Sequence, residues 1–218
     1  RTGSSKTFFL IVDKAAPSLS LLLNGAAANL TVAYGAQTNA TASESNGGDS
    51  DLGYTLYKDN SIVSSPNNGT FAAGTYVYVC NTSGGANYTS AAVSRTLTVN
   101  KAATDVKLFL NGVESNNSQI YGTSSNATAT LNVSGLAFQL YRNGTQVASG
   151  ISSISEVLTL AAGYYNYTAA YAGNENYSSS YETHYVVVGT VPAPPAPAPA
   201  PADDGTCSTS STSPRSNL

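Results

Sequence analysis

Residues 163–171 read GYYNYTAAY, and this stretch decides the fold class. Successive side chains of a β-strand point to opposite faces, so Tyr165 and Tyr167 would share one face. The more polar Asn166 and Thr168 would share the other face. Aromatic and β-branched residues suit a pleated surface that is half buried. The stretch therefore predicts a β-strand with one side in a hydrophobic core and the other in water.

The same alternation returns along the chain, for example at 76–80 (YVYVC) and 128–133 (TATLNV). Asn-Gly dipeptides, which tolerate the positive φ angles of tight hairpin turns, separate several of these runs. They begin at Asn24, Asn68, Asn111 and Asn143. No stretch shows apolar residues at helical spacing with helix caps. Many short strands with frequent turns predict an all-β sandwich or barrel.

A repeat with a period of 87 residues organises the chain, because residues 12–16 (VDKAA) reappear as 99–103 (VNKAA) at that distance. Residues 23–25 (LNG) likewise reappear as 110–112, again 87 positions later. Later matches drift by a few positions, as insertions in loops would make them. Self-similarity at a fixed period indicates repeated structural units. Combined with the strand pattern, it predicts two tandem β-sandwich domains.

The predicted boundaries place the first domain at 15–100 and the second at 101–189. Residues 1–14 are expected to hold an orphan N-terminal strand ahead of them. Residues 190–218 are expected to form a Pro/Ala- and Ser/Thr-rich linker or disordered tail. Within it, 192–201 are composed only of Pro and Ala, which favours an extended polyproline II spacer.

The orphan strand is the most apolar part of the chain, and it consists of Phe8, Phe9, Leu10, Ile11 and Val12. It resembles the strand-like runs that close the two repeats, at 95–99 and 183–188. An apolar strand with unpaired backbone groups needs the edge of a sheet. It either ends an upstream module or is donated to the sheet of another subunit, as in the strand-addition mode of recognition. The first hypothesis gives a monomeric rod and the second a self-assembling filament.

Residues 162–178 (AGYYNYTAAYAGNENYS) resemble the immunoglobulin-like repeats of bacterial and archaeal cell-surface proteins. The first copy keeps the pattern in weaker form at 74–80 and 85–88. The resemblance implies two tandem immunoglobulin-like β-sandwich domains in a spacer, adhesin stalk, surface-layer component or filament subunit. It implies no catalytic residues. In immunoglobulin domains a Tyr two residues before a strand Cys forms a tyrosine corner, and Tyr78 and Cys80 have that spacing.

Composition and charge narrow the classes of function. The chain has 9 Lys and Arg residues, a net charge of −3 and no basic cluster. Binding to nucleic acid relies on grouped basic residues, so it is not expected, and neither is binding to an anionic membrane surface. No apolar run reaches the length of about 20 residues that spans a bilayer. No catalytic constellation or zinc motif is present, so we predict neither an enzyme nor a cofactor. The expected partners are other copies of the chain, neighbouring surface proteins and glycans.

Asn-x-Ser/Thr sequons suggest an extracellular, N-glycosylated protein at a cell surface. A chain rich in Asn, Ser and Thr also produces sequons by accident. The pairs Asn39/Asn126 and Asn87/Asn176 recur at matched positions of the repeats, which favours a real function. The eleven candidate sites are Asn29, Asn39, Asn68, Asn81, Asn87, Asn116, Asn126, Asn132, Asn143, Asn166 and Asn176.

The remaining candidates favour structural interpretations. His184, the single histidine, lies in the last strand, and no acid–nucleophile arrangement surrounds it in sequence. Asp49 and Asp51 lie in a Gly-rich loop, where a solvated loop is favoured over a calcium site because calcium needs six to eight ligands. Cys80 is expected to be a small buried hydrophobe, and a disulfide with Cys207 is the minority interpretation. Four tyrosines near turns are predicted to be exposed: Tyr34, Tyr88, Tyr121 and Tyr177.

Overall fold

The computed structural model describes residues 3–46 and 52–190. In that part of the chain all regular secondary structure is β-strand. The first repeat contains β1 (Leu19–Leu23), β2 (Leu30–Ala33), β3 (Thr38–Glu44), β4 (Thr55–Lys58), β5 (Ser61–Val63), β6 (Asn67–Gly69), β7 (Gly74–Thr82) and β8 (Ala91–Asn100). The second repeat contains β9 (Val106–Leu110), β10 (Asn117–Ile120), β11 (Ser124–Leu131), β12 (Ala137–Arg142), β13 (Thr145–Ile151), β14 (Ser153–Thr159), β15 (Gly163–Tyr171) and β16 (Ser180–Gly189).

Each repeat forms a β-sandwich of one three-stranded and one five-stranded sheet. In the first sandwich the sheet orders are β1-β3-β6 and β2-β8-β7-β4-β5. In the second they are β9-β11-β14 and β10-β16-β15-β12-β13. The last strand of each sandwich pairs antiparallel with the strand before it and parallel with a short early strand, β2 or β10. This is an immunoglobulin-like topology, so the predicted fold class is confirmed. The exact residues at which the modules begin and end stay a prediction.

Each sandwich has its own hydrophobic core, built by the predicted alternation. In the stretch 163–171, Tyr167 and Ala169 are 0% exposed and lie in the same core as Leu108 of the opposite sheet. The matched positions of the first sandwich are Tyr78 and Cys80, exposed by 1% and 0%. Full burial of a large apolar side chain stabilises a fold by about 1.5–3 kcal/mol. These inward-facing side chains therefore supply most of the stability of each sandwich.

The Asn143-Gly144 dipeptide forms the predicted hairpin turn between β12 and β13, and Asp59-Asn60 forms the matched turn in the first repeat. Asn143 and Gly144 have φ angles of 48° and 79°, and Asp59 and Asn60 have 49° and 66° in the matched turn between β4 and β5. Positive φ at both central positions is the geometry that matches the twist of the flanking strands. The prediction of a turn at Asn68 was wrong. That residue lies inside β6, where it pairs with Asn39 of β3.

The two repeats differ most at one edge. β13 and β14 have 7 residues each, whereas β5 and β6 have 3 each. Pro66 precedes β6 and has no N–H to donate to a neighbouring strand. Beyond the end of β6, the Ser65 hydroxyl takes the place of a pairing strand for Ala42 of β3. It accepts a hydrogen bond from Ala42 N at 2.8 Å and donates one to Ala42 O at 3.0 Å. The edge of β3 is thus satisfied by a side chain.

The tyrosine corner is formed by different residues from those predicted. Tyr78 is fully buried, and its hydroxyl donates to the side chain of Asn67 at 2.8 Å. Tyr76, two positions earlier, donates to the carbonyl of Ala72 at 2.9 Å, and Tyr165 repeats this bond to Ala161 at 3.2 Å. The prediction failed because the spacing to Cys80 does not decide which alternate tyrosine reaches the turn before the strand. The true corner holds that turn in place in both repeats.

Alkaline pH is expected to destabilise both sandwiches through their buried tyrosines. Burial raises the pKa of Tyr78 and of Tyr167 to about 12, with nearby Asp59 and Glu156 adding to the effect. The unfolded chain loses these protons near pH 10. Stability is therefore intact below about pH 10 and falls between about pH 10 and 12, by up to about 1.4 kcal/mol per pH unit for each tyrosine. Urea unfolding at a series of pH values checks this.

Other groups also titrate in this pH range. The alkaline loss of stability of the unmodified chain is therefore compared with that of Tyr78→Phe and Tyr167→Phe. Each substitution removes one ionisable phenol and should flatten the alkaline loss for its own sandwich. An equally steep loss in the doubly substituted chain would contradict the assignment to these tyrosines.

Candidate functional site

The contacts that link one repeat to the next form the candidate functional site. Tyr34, which follows β2, packs edge to face on Tyr177 with ring centroids 5.3 Å apart. The backbone N–H of Ala73 donates to Oδ1 of Asn176 at 2.9 Å. An open groove of ≈ 350 Å³ runs along the junction between residues 73–75 and Glu175. The two sandwiches therefore make direct side-chain contacts in addition to their covalent link.

The peptide that joins the repeats is fixed to the second sandwich. The ammonium group of Lys101 donates to the carbonyl of Asn174 at 2.6 Å. Ala102 forms a parallel β-bridge with Tyr177 and accepts a hydrogen bond from Ser178 N at 3.0 Å. Because these bonds begin directly after β8, little flexible chain separates the sandwiches. A short linking peptide held in this way leaves less freedom between the sandwiches than a flexible linker would.

The start of the first sandwich repeats these bonds. Lys14 donates to the carbonyl of Gly85 at 2.8 Å, and Ala15 forms a parallel bridge with Tyr88. Residues 12–15 and 86–88 line an open groove of ≈ 340 Å³. We call this part of the first sandwich, Lys14, Ala15 and residues 84–88, the head surface. It is the counterpart of the surface by which the second sandwich contacts the first.

A glycine shapes the loop at each of these surfaces. Gly84 has φ of 82°, and a Cβ there would lie 2.6 Å from the carbonyl oxygen of Tyr88. Gly173 has φ of 84°, and its Cβ would lie 2.9 Å from the backbone nitrogen of Ser179. Distances below 3.0 Å are not tolerated, and positive φ already favours glycine. The two loops therefore share one conformation, which the sequence repeat alone did not reveal.

Asparagine side chains connect strands at matched positions of both repeats. Asn29 Oδ1 accepts a hydrogen bond from Thr96 N at 2.9 Å, and Asn116 Oδ1 accepts one from Tyr185 N at 3.0 Å. Asn132 and Asn143 accept backbone N–H groups in the same way, at 2.9 and 2.8 Å. Each bond satisfies a backbone donor that has no strand neighbour there. These sequon asparagines thus have a structural role, which sequence reasoning missed although the matched spacing of Asn29 and Asn116 was visible.

The sequon asparagines differ in exposure. Asn81, Asn166 and Asn176 are half buried, and the other eight are exposed: Asn29, Asn39, Asn68, Asn87, Asn116, Asn126, Asn132 and Asn143. In Asn39, Asn126 and Asn166 the side-chain oxygen accepts a hydrogen bond from the threonine hydroxyl two positions later, at 2.9–3.1 Å. That contact holds the amide oxygen. Whether sugars are attached stays a prediction.

Within residues 3–46 and 52–190, the orphan segment pairs with no sheet. Phe8, Phe9, Leu10, Ile11 and Val12 are 82–90% exposed and carry no strand assignment. Exposing a continuous apolar run of this kind is unfavourable in water. The last-strand positions of both sandwiches are already filled, by β8 and β16. The predicted role as a strand is therefore neither confirmed nor contradicted.

Of the four tyrosines predicted to be exposed, three are half buried. Tyr121 is 53% exposed, as predicted. Tyr34 and Tyr177 bury part of each other, and the Tyr88 hydroxyl donates to Asn46 O at 3.0 Å. The prediction missed these contacts because they join residues that are distant in sequence. The most exposed tyrosines are Tyr181 and Tyr164, at 77% and 61%, on the outer face of the five-stranded sheet.

His184 lies in β16 and is half buried. Its Nε2 atom is 3.4 Å from a carboxylate oxygen of Glu182, and that carboxylate also accepts the N–H of Leu108 on the facing sheet. Within the described ranges, no group of three or more His, Cys, Asp and Glu side chains is placed to hold a metal ion. Nor does this part of the chain contain a helix long and apolar enough to cross a membrane.

Cys80 is a free thiol with no exposed surface, and burial raises its pKa. This agrees with the expectation of a small buried hydrophobe. Its alternative partner Cys207, the loop residues Asp49 and Asp51, and the tail from 191 onward lie outside the described residues.

The contact between Tyr34 and Tyr177 is expected to limit bending at the junction. Replacing Tyr34 by Ala removes the edge-to-face pair, which contributes about 0.5–1.5 kcal/mol beyond burial. Residual dipolar couplings, which report the relative orientation of the sandwiches, should then show a wider range of angles. Tyr164→Ala removes an exposed tyrosine away from the contact and serves as the control. Unchanged couplings in Tyr34→Ala would mean that the linking peptide and the hydrogen bond from Ala73 to Asn176 set the angle without the aromatic pair.

Comparison with known proteins gives structural neighbours only. No protein-family model matches the chain, and no curated protein matches it. Among solved structures, the fibronectin(III)-like modules of Clostridium thermocellum CbhA are 12% identical, with 78% of this chain and 94% of that chain covered and a TM-score of 0.33. A three-domain immunoglobulin segment of titin is 13% identical, with 82% and 67% covered and a TM-score of 0.32. The tandem immunoglobulin repeats of Dlar are 11% identical, with 81% and 100% covered and a TM-score of 0.30.

Proposed function

We propose that this chain is a non-catalytic structural spacer of a cell surface, in which immunoglobulin-like sandwiches are stacked in series. The observation that carries the proposal is the junction. The sandwiches are joined by the aromatic contact between Tyr34 and Tyr177 and by the hydrogen bond from Ala73 to Asn176. The linking peptide adds further hydrogen bonds. Repeats that are held together in this way resist bending better than repeats on a flexible linker. Resistance to bending is what a spacer or stalk needs.

The orphan segment supports the same function. The 87-residue repeat aligns Leu10 with Leu97 and Val12 with Val99, which are 1% and 4% exposed in β8. The segment thus has the pattern of a last strand, and it runs into Lys14 and Ala15 as β8 runs into Lys101 and Ala102. We propose that it is the last strand of a preceding sandwich of the same type, seated on the head surface.

Strand donation between copies is the second candidate function. The exposure of 82–90% along Phe8–Val12 favours it, because such a strand needs a sheet. However, a donated last strand would need a sandwich whose last strand is missing, and β8 and β16 fill that position in both sandwiches. A filament made of this chain alone would have to displace one of them. The spacer function requires no such displacement.

An extracellular location is part of the proposal, and the exposed sequons support it. Labelling of intact source cells with antibodies against residues 15–189 tests it. We expect labelling without permeabilisation, and labelling that appears only after permeabilisation would contradict an extracellular spacer.

Glycans are expected on exposed sequons such as Asn39 and Asn126, where a sugar on Nδ2 leaves the hydrogen bond to Oδ1 intact. The intact mass of the protein from its native source should fall after enzymatic removal of N-glycans, by hundreds of daltons or more for each occupied site. Asn39→Gln and Asn126→Gln should each remove one glycan, with Gln119→Asn as a control that creates no sequon. A native mass equal to that of the bare chain would contradict glycosylation.

A further inference from the structure

We propose that a groove on the outer face of the first sandwich binds the sugar that Asn81 carries. The inference rests on the proposed glycosylation and names the place where one glycan binds. The groove has a volume of ≈ 370 Å³ and is lined by Tyr57, Asn60, Val79 and Asn81. A second opening of ≈ 310 Å³ adjoins it and shares Tyr57 and Asn81. Volumes above about 300 Å³ are typical of sites for small ligands.

The sequon asparagine lies beside the aromatic ring because of the register between β4 and β7. Tyr57 pairs with Val79, and Thr55 pairs with Asn81. Asn81 follows the fully buried Cys80 in β7 and therefore points to the outer face of the sheet. Tyr57 is its diagonal neighbour on that face, at a distance that an aromatic side chain can span. A sugar attached to Nδ2 of Asn81 therefore begins within reach of the Tyr57 ring.

The polar side chains of the groove are not engaged with the protein. In the described part of the chain, the side chains of Tyr57, Asn60 and Asn81 make no hydrogen bond. Most other sequon asparagines differ, because their amide oxygens accept hydrogen bonds from the protein, as those of Asn39 and Asn126 do. The phenol and amide groups of the groove are thus available to donate to and accept from the hydroxyl groups of a sugar.

The lining of the groove favours a neutral ligand that is rich in hydroxyl groups. None of the described residues that line the two openings carries a charge, so an ionic ligand has no partner there. Val79 is the only aliphatic side chain among these described residues, which is too little for the apolar anchor of a protein partner. A sugar ring packs its C–H groups on an aromatic ring while its hydroxyl groups meet amides. Because the acceptor Asn81 belongs to the lining, we assign the groove to the sugar attached there.

The second sandwich provides a matched surface without an acceptor. Tyr141 of β12 corresponds to Tyr57, and Ala170 of β15 takes the position of Asn81. The tyrosine is thus present in both repeats, whereas the acceptor at this position is present only in the first. Replacing Tyr141 therefore removes an equivalent tyrosine without touching the sugar on Asn81.

NMR spectroscopy of the glycosylated full chain tests the proposal. The chain is secreted from a host that modifies Asn-x-Ser/Thr, and an endoglycosidase then leaves one N-acetylglucosamine at each occupied site. We expect nuclear Overhauser effects between the ring protons of Tyr57 and the sugar on Asn81, and an upfield shift of that sugar's protons. Asn81→Gln identifies its signals. The sugars on Asn39 and Asn126 should show neither effect.

Amide hydrogen exchange measures the effect of the contact on the fold. The sugar on Asn81 should slow exchange in β4 and β7 about fivefold, which corresponds to one aromatic contact. In each variant this gain is measured against the same variant with Asn81→Gln. Tyr57→Phe keeps the ring and should retain most of the gain, Tyr57→Ala should abolish it, and Tyr141→Ala should leave it unchanged.

Three results would overturn the proposal. They are an Asn81 that stays unmodified, a sugar on Asn81 with the same proton shifts as the sugars on Asn39 and Asn126, and a gain in protection that Tyr57→Ala retains. Failure of the proposed glycosylation is a separate result, because it is decided by the mass of the protein from its native source. A bare native mass contradicts glycosylation in the source, whereas the contact is decided on the chain from the glycosylating host.

Discussion

Replacing Glu156 by alanine is expected to lower the free energy of unfolding of the second sandwich by about 3 kcal/mol. The Glu156 carboxylate accepts the hydroxyl of the fully buried Tyr167 at 2.8 Å and pairs with Arg142 at 2.8 Å. The side chains of Arg142 and Glu156 are only 26% and 16% exposed. Removing one partner leaves a guanidinium and a phenol without their acceptor in a place that water reaches poorly, which is the costly way to break a buried network. Urea unfolding followed by circular dichroism measures the loss.

The first sandwich provides a matched control. There the buried Tyr78 donates to the neutral side chain of Asn67 at 2.8 Å. Asn67→Ala removes a single acceptor and no charge partner, so we expect a loss of about 1 kcal/mol. Amide hydrogen exchange, which reports on each sandwich separately, should show the larger loss of protection in the second sandwich for Glu156→Ala. Equal losses in the two variants would mean that the ion pair with Arg142 contributes nothing.

The core of each sandwich could be predicted from the sequence because it follows from local alternation. Tyr167 and Ala169 lie on the buried face that the stretch 163–171 predicts, and the Asn143-Gly144 hairpin follows from backbone preference alone. The repeat then transfers these assignments from one sandwich to the other. Such features depend on neighbours in the sequence, and a single sequence displays them.

The contacts that join distant residues could not be predicted in this way. Tyr34 and Tyr177 were both recognised as tyrosines near turns, but only the stacking of the sandwiches brings them 5.3 Å apart. The acceptors of the two buried tyrosines, Asn67 and Glu156, also differ in charge although the tyrosines match. A hydrogen bond across a sandwich depends on register between strands, and alternation fixes the face of a strand without fixing its partner. The candidate site is made of such contacts. Its tyrosines could be picked out from the sequence, but the partner of each one could not.

A longer chain can test whether the orphan segment acts as a last strand in the proposed register. Joining a copy of residues 15–90 to residue 4 supplies a sandwich that lacks its last strand, with residues 4–13 in the place of 91–100. Leu10 then takes the position of Leu97, and Ile11 takes that of Thr98. We expect the added sandwich to fold and Phe8–Val12 to become protected from amide hydrogen exchange. This protection would show that the segment can act as a last strand.

Two substitutions by threonine, one at Leu10 and one at Ile11, then test the register. Leu10→Thr puts a hydroxyl at a core position that is 1% exposed in both sandwiches, at Leu97 and Val186, and should lower the stability of the added sandwich by about 3 kcal/mol. Ile11→Thr introduces the residue that β8 has at the matched position, Thr98. It should lower the stability of the added sandwich by less than about 1 kcal/mol. Denaturant unfolding of the added sandwich measures both. A shift of the strand by one residue exchanges its faces, so a larger loss for Ile11→Thr would contradict the proposed register. Losses below about 1 kcal/mol in both variants would mean that neither face is buried and that the segment has another function.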